Sequence, residues 1–194
     1  MAQVSEAIKK DHRELETYYD KIIDATDDDT RTRYQNQFTW ELARHSIGEE
    51  LVVYPAFEKY IPQGKQIAEK DRAEHQTVTE KLKKFQNLKA TDPEFMPTIK
   101  SLWADLSKHI EEEETHDLPS LEKELSSSDS ESLAKSFSRT KMFVPSRAHP
   151  SAPRKPPFET VLGLLTAPMD RLGDIFRKFP DEPTGPESGD KLNK

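Results

Sequence analysis

The 194-residue chain contains no cysteine. That excludes disulfides, thiolate nucleophiles, iron–sulfur clusters and cysteine-ligated zinc, so any metal must be held by imidazole and carboxylate, ligands suited to iron, manganese or zinc. Basic residues are in deficit: 29 Lys and Arg stand against 36 Asp and Glu, a net charge of −7. This argues against a nucleic-acid partner, because phosphate binding requires a basic face. No segment approaches the roughly 18 continuous apolar residues of a membrane span. The opening "MAQVSEAIKKDHRELE" has acidic residues early and no apolar run, so it resembles neither a signal nor a transit peptide, and a cytoplasmic protein is expected. There is no glycine-rich phosphate loop and no His-Glu-x-x-His zinc-protease motif. No stretch sustains period-two alternation, so no sheet is expected.

What the chain does have is helical periodicity. A first helix is expected over about Val4–Asp24, with Val4, Ile8, Leu15, Tyr19, Ile22 and Ile23 as its apolar stripe. "ATDDDT" closes it and offers Asp caps to the next. The second runs from about Thr30 to Tyr60 and should kink at Pro55, which has no N–H to donate. The third covers about Gln66–Lys89. The fourth, capped by Asp92 with Pro93 in its first turn, runs to about Leu118, where Pro119 ends or bends it. Four long helices with short connections predict an all-α, antiparallel up-down-up-down four-helix bundle over 1–125.

Each bundle helix carries one histidine well inside its length: His12, His45, His75 and His109. Apolar residues three, four or seven places away put each on the core stripe. Two of the four are followed by a carboxylate four residues on, in "HSIGEE" (Glu49) and "HIEEEE" (Glu113). That spacing sets the carboxylate about 40° round and ~6 Å along the helix from its imidazole. A carboxylate on a core stripe is expensive unless paired or coordinated. Four imidazoles and two carboxylates converging inside a bundle suit a dinuclear metal site, with nitrogen donors at each ion and a carboxylate able to bridge both. Glu114 rivals Glu113 for the helix-four position. His116 shares the face of His109, where it serves as a supporting or substitute ligand, or sits at the surface. Glu50, Glu111 and Glu112 read as solvated or boundary residues.

A histidine in helix one, His-x-x-x-Glu in helix two, a histidine in helix three and His-x-x-x-Glu in helix four resemble the hemerythrin-like, or HHE cation-binding, domains over about residues 4–125. The resemblance implies a non-haem di-iron centre: two iron ions held by His12, His45, His75 and His109, with Glu49 and Glu113 as bridges. Oxygen-carrying hemerythrins have a second histidine four after the first in helix three and a His-x-x-x-x-Asp pair in helix four. Here those positions are Thr79 and Glu114. The departure makes the ion environment richer in oxygen and points to the wider group of oxygen-, nitric oxide- or iron-responsive domains. The expected function is therefore a binding or sensing module for dioxygen, nitric oxide or iron. The alternatives are a di-iron oxidoreductase and an adaptor with a vestigial metal site.

Beyond Ser126 the composition changes. A short helical extension is expected over 126–140, then a proline-rich stretch, since nine of the fourteen prolines fall after Lys141. "VPSRAHPSAPRKPP" reads as an extended linker with His149 in solvent. Residues 158–179 form a broken amphipathic segment, interrupted by Gly163 and Pro168, that docks on the bundle, binds a protein partner or touches a membrane surface. The remaining tail is expected to be disordered.

Overall fold

The computed structural model describes residues 2–151 and 158–181, without side-chain detail for 158–165. The expected disorder of the tail beyond 181 lies outside the described residues.

Helix α1 spans Val4–Asp24 and α2 spans Asp28–Gly48. A π-helical turn, Glu49–Val53, then joins α2 without a break to α3, Tyr54–Tyr60. Helix α4 (Gly64–Phe85) and helix α5 (Phe95–Glu112) follow. A second π turn, Glu113–Asp117, leads into α6, Leu118–Glu124. Helix α7 spans Ser127–Lys141 and α8 spans Phe158–Asp174. No strand occurs among the described residues. Helix α1 packs on α2, α2 on α4, α4 on α5 and α5 on α1, which closes a four-member ring.

Two apolar clusters fix the directions of these helices. One gathers the end of α1 (Leu15, Tyr18, Ile22) with Phe38 and Leu42 of α2, the end of α4 (Val78, Leu82, Phe85) and the start of α5 (Phe95, Ile99, Leu102). The other gathers the start of α1 (Val4, Ile8) with Val53, Tyr54 and Phe57, Ala68 of α4, and Leu118 and Leu121. Ends therefore meet starts around the ring, so neighbouring helices alternate in direction. Burial of these side chains, worth roughly 1.5–3 kcal/mol each, holds the bundle at both ends. The layer between the clusters is left for polar side chains.

Local chemistry sets the helix boundaries. Asp27 accepts from Thr30 N at 2.8 Å and caps α2, and Ser126 accepts from Asp129 N at 3.2 Å and caps α7. Gln63 turns the chain at φ 64°, and a Cβ on Gly64 would sit 1.8 Å from the Phe57 carbonyl oxygen, so this tight reversal requires glycine. The expected cap at Asp92 is not what starts α5. Its carboxylate accepts from Lys89 N at 2.7 Å, folding the preceding loop, and the helix begins at Phe95 after Pro93.

Both π turns stand one residue before a proline-bearing helix start, Tyr54-Pro55 and Leu118-Pro119. Proline lacks the N–H that would reach back four residues, and its ring crowds that carbonyl. The chain instead closes on the fifth residue back: Tyr54 N donates to Glu49 O, and Leu118 N to Glu113 O. The kink expected at Pro55 is thus a widened turn with no break in the helix, and Pro119 produces the same result.

The stretch after α7 departs from the expected extended linker. Val144, Ser146, Arg147 and Ala148 are buried, and Ala148 N donates to Gln86 Oε1 at 2.9 Å. An extended chain has spare backbone donors, and the amide of Gln86, just past the end of α4, takes one of them. His149, expected in solvent, is half-buried with Nε2 2.9 Å from Asp170 Oδ2. The region after Gly163 is held to the bundle by polar groups. Asn36 donates to Lys178 O at 2.9 Å and Arg33 to Phe179 O at 2.8 Å, whereas Leu172, Ile175 and Phe176 stay exposed. Among the described side chains, Leu172, Ile175 and Phe176 do not dock on the bundle, while the side chains of 158–165 lie outside the described residues. No helix among the described residues is long and apolar enough to cross a membrane.

Candidate metal centre

The layer between the two apolar clusters holds His12 from α1, His45 from α2, Glu49 from the first π turn, His75 from α4, His109 from α5 and Glu113 from the second π turn. All six are buried, with 3% exposure or less. The structure thus brings together every residue expected at the site. Two groups stand out within it. His12, His45 and Glu49 offer ligand atoms within 4.8 Å of one another, and so do Glu49, His75 and His109. Glu49 belongs to both. Its Oε1 lies 3.1 Å from His45 Nε2 and its Oε2 3.3 Å from His75 Nε2, so the carboxylate spans the two groups. Glu113 Oε2 lies 3.4 Å from His12 Nε2. The imidazole rings sit as matched edge-on pairs, His12 with His45 at 4.9 Å and His75 with His109 at 4.8 Å.

Glu113 and Glu114 occupy different sides of His12. Glu113 faces the centre from the Nε2 side, while Glu114 Oε1 sits 2.8 Å from Nδ1, on the outer side, where Arg13 Nη2 also reaches it at 2.5 Å. Each of the other imidazoles has a carboxylate at Nδ1 in the same way. Asp11 Oδ2 is 3.2 Å from His45, Glu50 Oε1 is 3.4 Å from His75 and Glu74 Oε2 is 2.8 Å from His109. The carboxylate always comes from the helix preceding in the ring: α1 supports α2, the first π turn supports α4, α4 supports α5, and the second π turn supports α1. Holding Nδ1–H against a carboxylate turns the Nε2 lone pair toward the centre and makes it more basic. Three of these carboxylates are backed by a cation, Asp11 by Lys141, Glu74 by Lys70 and Glu114 by Arg13.

Sequence reasoning missed Asp11, Glu50 and Glu74. It placed Glu50 on a solvated face, but the π turn advances less per residue than an α-helix and turns both Glu49 and Glu50 inward, leaving Glu50 3% exposed. A signal was present in the doublets Asp11-His12, Glu49-Glu50, Glu74-His75 and Glu113-Glu114, which recur at a near-constant offset in the two halves. His116 is exposed and bonded to Thr115 Oγ1, away from the centre.

Electrostatics divide the six groups. Burial alone would lower His45 and His75, but the surrounding carboxylates outweigh it: Glu49 and Asp11 lift His45 to about 10, and Glu49 and Glu50 lift His75 to about 9. At His12 burial prevails over Glu114, and the pKa falls to about 4. Burial also lowers His109. Burial and then the charge of Glu49 push Glu113 well up, while Glu49 is held down, against burial, by His45 and His75.

The donor set fits a metal pair. His12 Nε2 and all four carboxylate oxygens of Glu49 and Glu113 are buried without a hydrogen-bond partner, although imidazole nitrogens lie within ion-pair distance of them. Buried polar atoms left in this state cost several kcal/mol in total unless something binds them. A cation does, and four imidazole nitrogens with two carboxylates form a set suited to first-row metals. Tyr54 adds a phenol whose oxygen is 2.8 Å from His75 Nε2.

Known proteins have the same arrangement of helices. A crystal structure of an HHE cation-binding domain-containing protein from Mycobacterium kansasii superposes with a TM-score of 0.64 at 21% identity, covering 73% of this chain and 86% of that one. A hemerythrin-like protein of Schizosaccharomyces pombe is 59% identical over 181 residues, covering 93% of this chain and 89% of its own length. Residues 3–121, the stretch that supplies all six inward-facing groups, match the hemerythrin HHE cation-binding domain. The chain belongs to that family.

Proposed function

We propose that this cytosolic protein holds two iron ions in a non-haem centre and binds or senses dioxygen, nitric oxide or iron through it. His12, His45, His75 and His109 serve as terminal nitrogen ligands, with Glu49 and Glu113 as bridges. The observation that carries the reading is the sharing of Glu49, whose carboxylate oxygens have no hydrogen-bond partner, by two buried ligand groups. Bound there, iron supplies a redox-active position for a diatomic ligand. The protein's own part is to present four Nε2 atoms, to hold their Nδ1 protons on carboxylates, and to keep water out with an apolar cluster on either side.

A second reading, a di-iron oxidoreductase acting on oxygen, peroxide or nitric oxide, draws on Tyr54, which places a hydroxyl proton at the centre. Turnover with a reductant separates the two, since a binding module changes only stoichiometrically.

Elemental analysis after anaerobic reconstitution and desalting tests the assignment. Close to two irons per chain are expected, lost in Glu49→Ala and Glu113→Ala. Glu114→Ala should keep both ions and weaken binding roughly 10–100-fold, the usual effect of removing a supporting partner. Near-zero iron in the wild type, or full iron in Glu49→Ala, would show the layer to be a polar core.

A further inference from the structure

The two halves of the bundle correspond position by position: His12 with His75, His45 with His109, Glu49 with Glu113 and Pro55 with Pro119. Among the differences, two set a buried acid in the second half where the first half has a buried apolar residue. Four residues before the histidine, the first half has Ile8 and the second Asp71. Four residues after the glutamate, the first half has Val53 and the second Asp117. Ile8 and Val53 are fully buried in one apolar cluster. Asp71 is buried as deeply, 1% exposed, and neither of its carboxylate oxygens has a hydrogen-bond partner. Asp117 is also buried, and its charge acts on the Asp71 carboxyl.

A buried carboxylate without a partner is costly, and the first half shows that this fold closes the same position with an apolar pair. Packing therefore does not account for Asp71. Its surroundings do. Asp71, Glu74 and His109 offer ligand atoms within 4.8 Å of one another, and His109 is also one of the inner ligands. On the outer side stands Lys70, whose half-exposed side chain bonds Glu112 and lies 3.5 Å from Glu74 Oε1 and 4.0 Å from Asp71 Oδ1. An ammonium on a flexible stem closes the cluster toward solvent, and a competing cation can displace it.

We propose that Asp71, with Glu74 and Asp117, forms a way station for a divalent cation passing from the surface to the dinuclear centre. Oxygen donors suit such a role, because they hold a borderline first-row cation more weakly than the imidazole-rich centre that receives it. The negative cluster also raises the local concentration of cations at this edge of the centre. The proposal rests on the reading of the centre as a metal site.

Stopped-flow mixing of Co(II) with the metal-depleted full chain, followed by its visible absorption, tests it. Asp71→Asn should load roughly tenfold or more slowly than wild type, with the final two Co(II) per chain unchanged. The double variant Asp71→Ile with Asp117→Val installs the apolar pair of the other half. It should fold at least as well and load as slowly, which keeps the test valid if Asp71→Asn is unstable. Lys70→Gln, which removes the competing ammonium, should load faster, and a merely structural role for the cluster does not predict that. Asp20→Asn, an exposed charge change two turns along α1 from His12, should leave the rate alone. Wild-type loading rates in all the variants would overturn the way station while leaving the centre intact. Loss of a bound ion without a change of rate would make Asp71 part of the centre itself and would also overturn it. Failure of the wild type to bind Co(II) would remove both readings together.

Discussion

At the scale of single residues, the centre is set by which atoms keep their protons. In the metal-free protein His45 and His75 are imidazolium at neutral pH, since their pKa values lie at about 10 and about 9, and burial pushes the Glu113 carboxyl well up. His12, at about 4, is already a free base. A metal ion can use only the deprotonated forms, so loading must expel protons from His45 and His75 and none from His12. Each of these groups is protonated below its pKa in the metal-free state and unprotonated in the loaded one. Affinity therefore rises with pH through the neutral range, and the gain from His75 ends near pH 9 and that from His45 near pH 10. Calorimetric titration with metal in two buffers of different ionisation enthalpy should show this release at pH 7; loading without release would contradict the assigned states. The same scale shows what a sequence hides. His-x-x-x-Glu stands out because a carboxylate on an apolar stripe breaks the pattern. Asp11, Glu50 and Glu74 do not stand out, because each sits beside another charged or polar residue and reads as part of a solvated face. Their burial follows from contacts between helices, which no single helix displays.

At the scale of elements, the two π turns are the devices that aim Glu49 and Glu113 into the polar layer. The sequence shows the prolines and so the existence of an irregularity, but the choice between a break and a widened turn is made by packing, since Tyr54, Phe57, Leu118 and Leu121 all remain buried in one cluster. Pro119→Ala restores the missing N–H and removes the ring that crowds the preceding turn. The second π turn is then free to tighten to α geometry, which rotates Glu113 away from His12 and returns it to the face of an ordinary helix. Metal affinity should fall by about tenfold or more, while the melting temperature of the metal-free protein holds or rises, because alanine favours the helix interior by about 3 kcal/mol over proline. Unchanged affinity in this variant would show that the π turn does not position the ligand. The extension is the element that sequence described least well. Proline content suggested a solvated linker from 141 on, yet Lys141 is buried between Asp11 and Glu41, and a Cβ on Gly48 would meet Phe137 at 2.8 Å. Helix α7 thus closes tightly on the helix that carries His45, a tertiary contact invisible to composition.

At the scale of the whole molecule, a polar layer across the middle of a bundle divides its apolar core in two. The bundle and its length were legible from period and punctuation alone, because long amphipathic helices with short turns have few other ways to bury their stripes. Without metal, the layer leaves five buried polar atoms of His12, Glu49 and Glu113 unbonded. Ligand binding to the folded state alone stabilises it by about 2.7 kcal/mol at a hundred times the dissociation constant. For a chain of this size that corresponds to a melting temperature higher by roughly 5–10 °C. Differential scanning calorimetry with and without iron should show this upward shift, and coincident melting curves would count against a metal in the layer.

The ring of supporting carboxylates has a consequence for assembly. Helices α1 to α3 form one hairpin and α4 to α6 another, each carrying two inward imidazoles and one inward glutamate. His12 and His75 both take their Nδ1 partner from the opposite hairpin, so neither hairpin can complete its own set. If the hairpins were separate polypeptides, building the centre would be second order in protein and would fail on dilution. The short turn at Ile61–Gln63 makes it first order. That turn fixes the effective concentration of one half-site for the other, independent of how much protein is present.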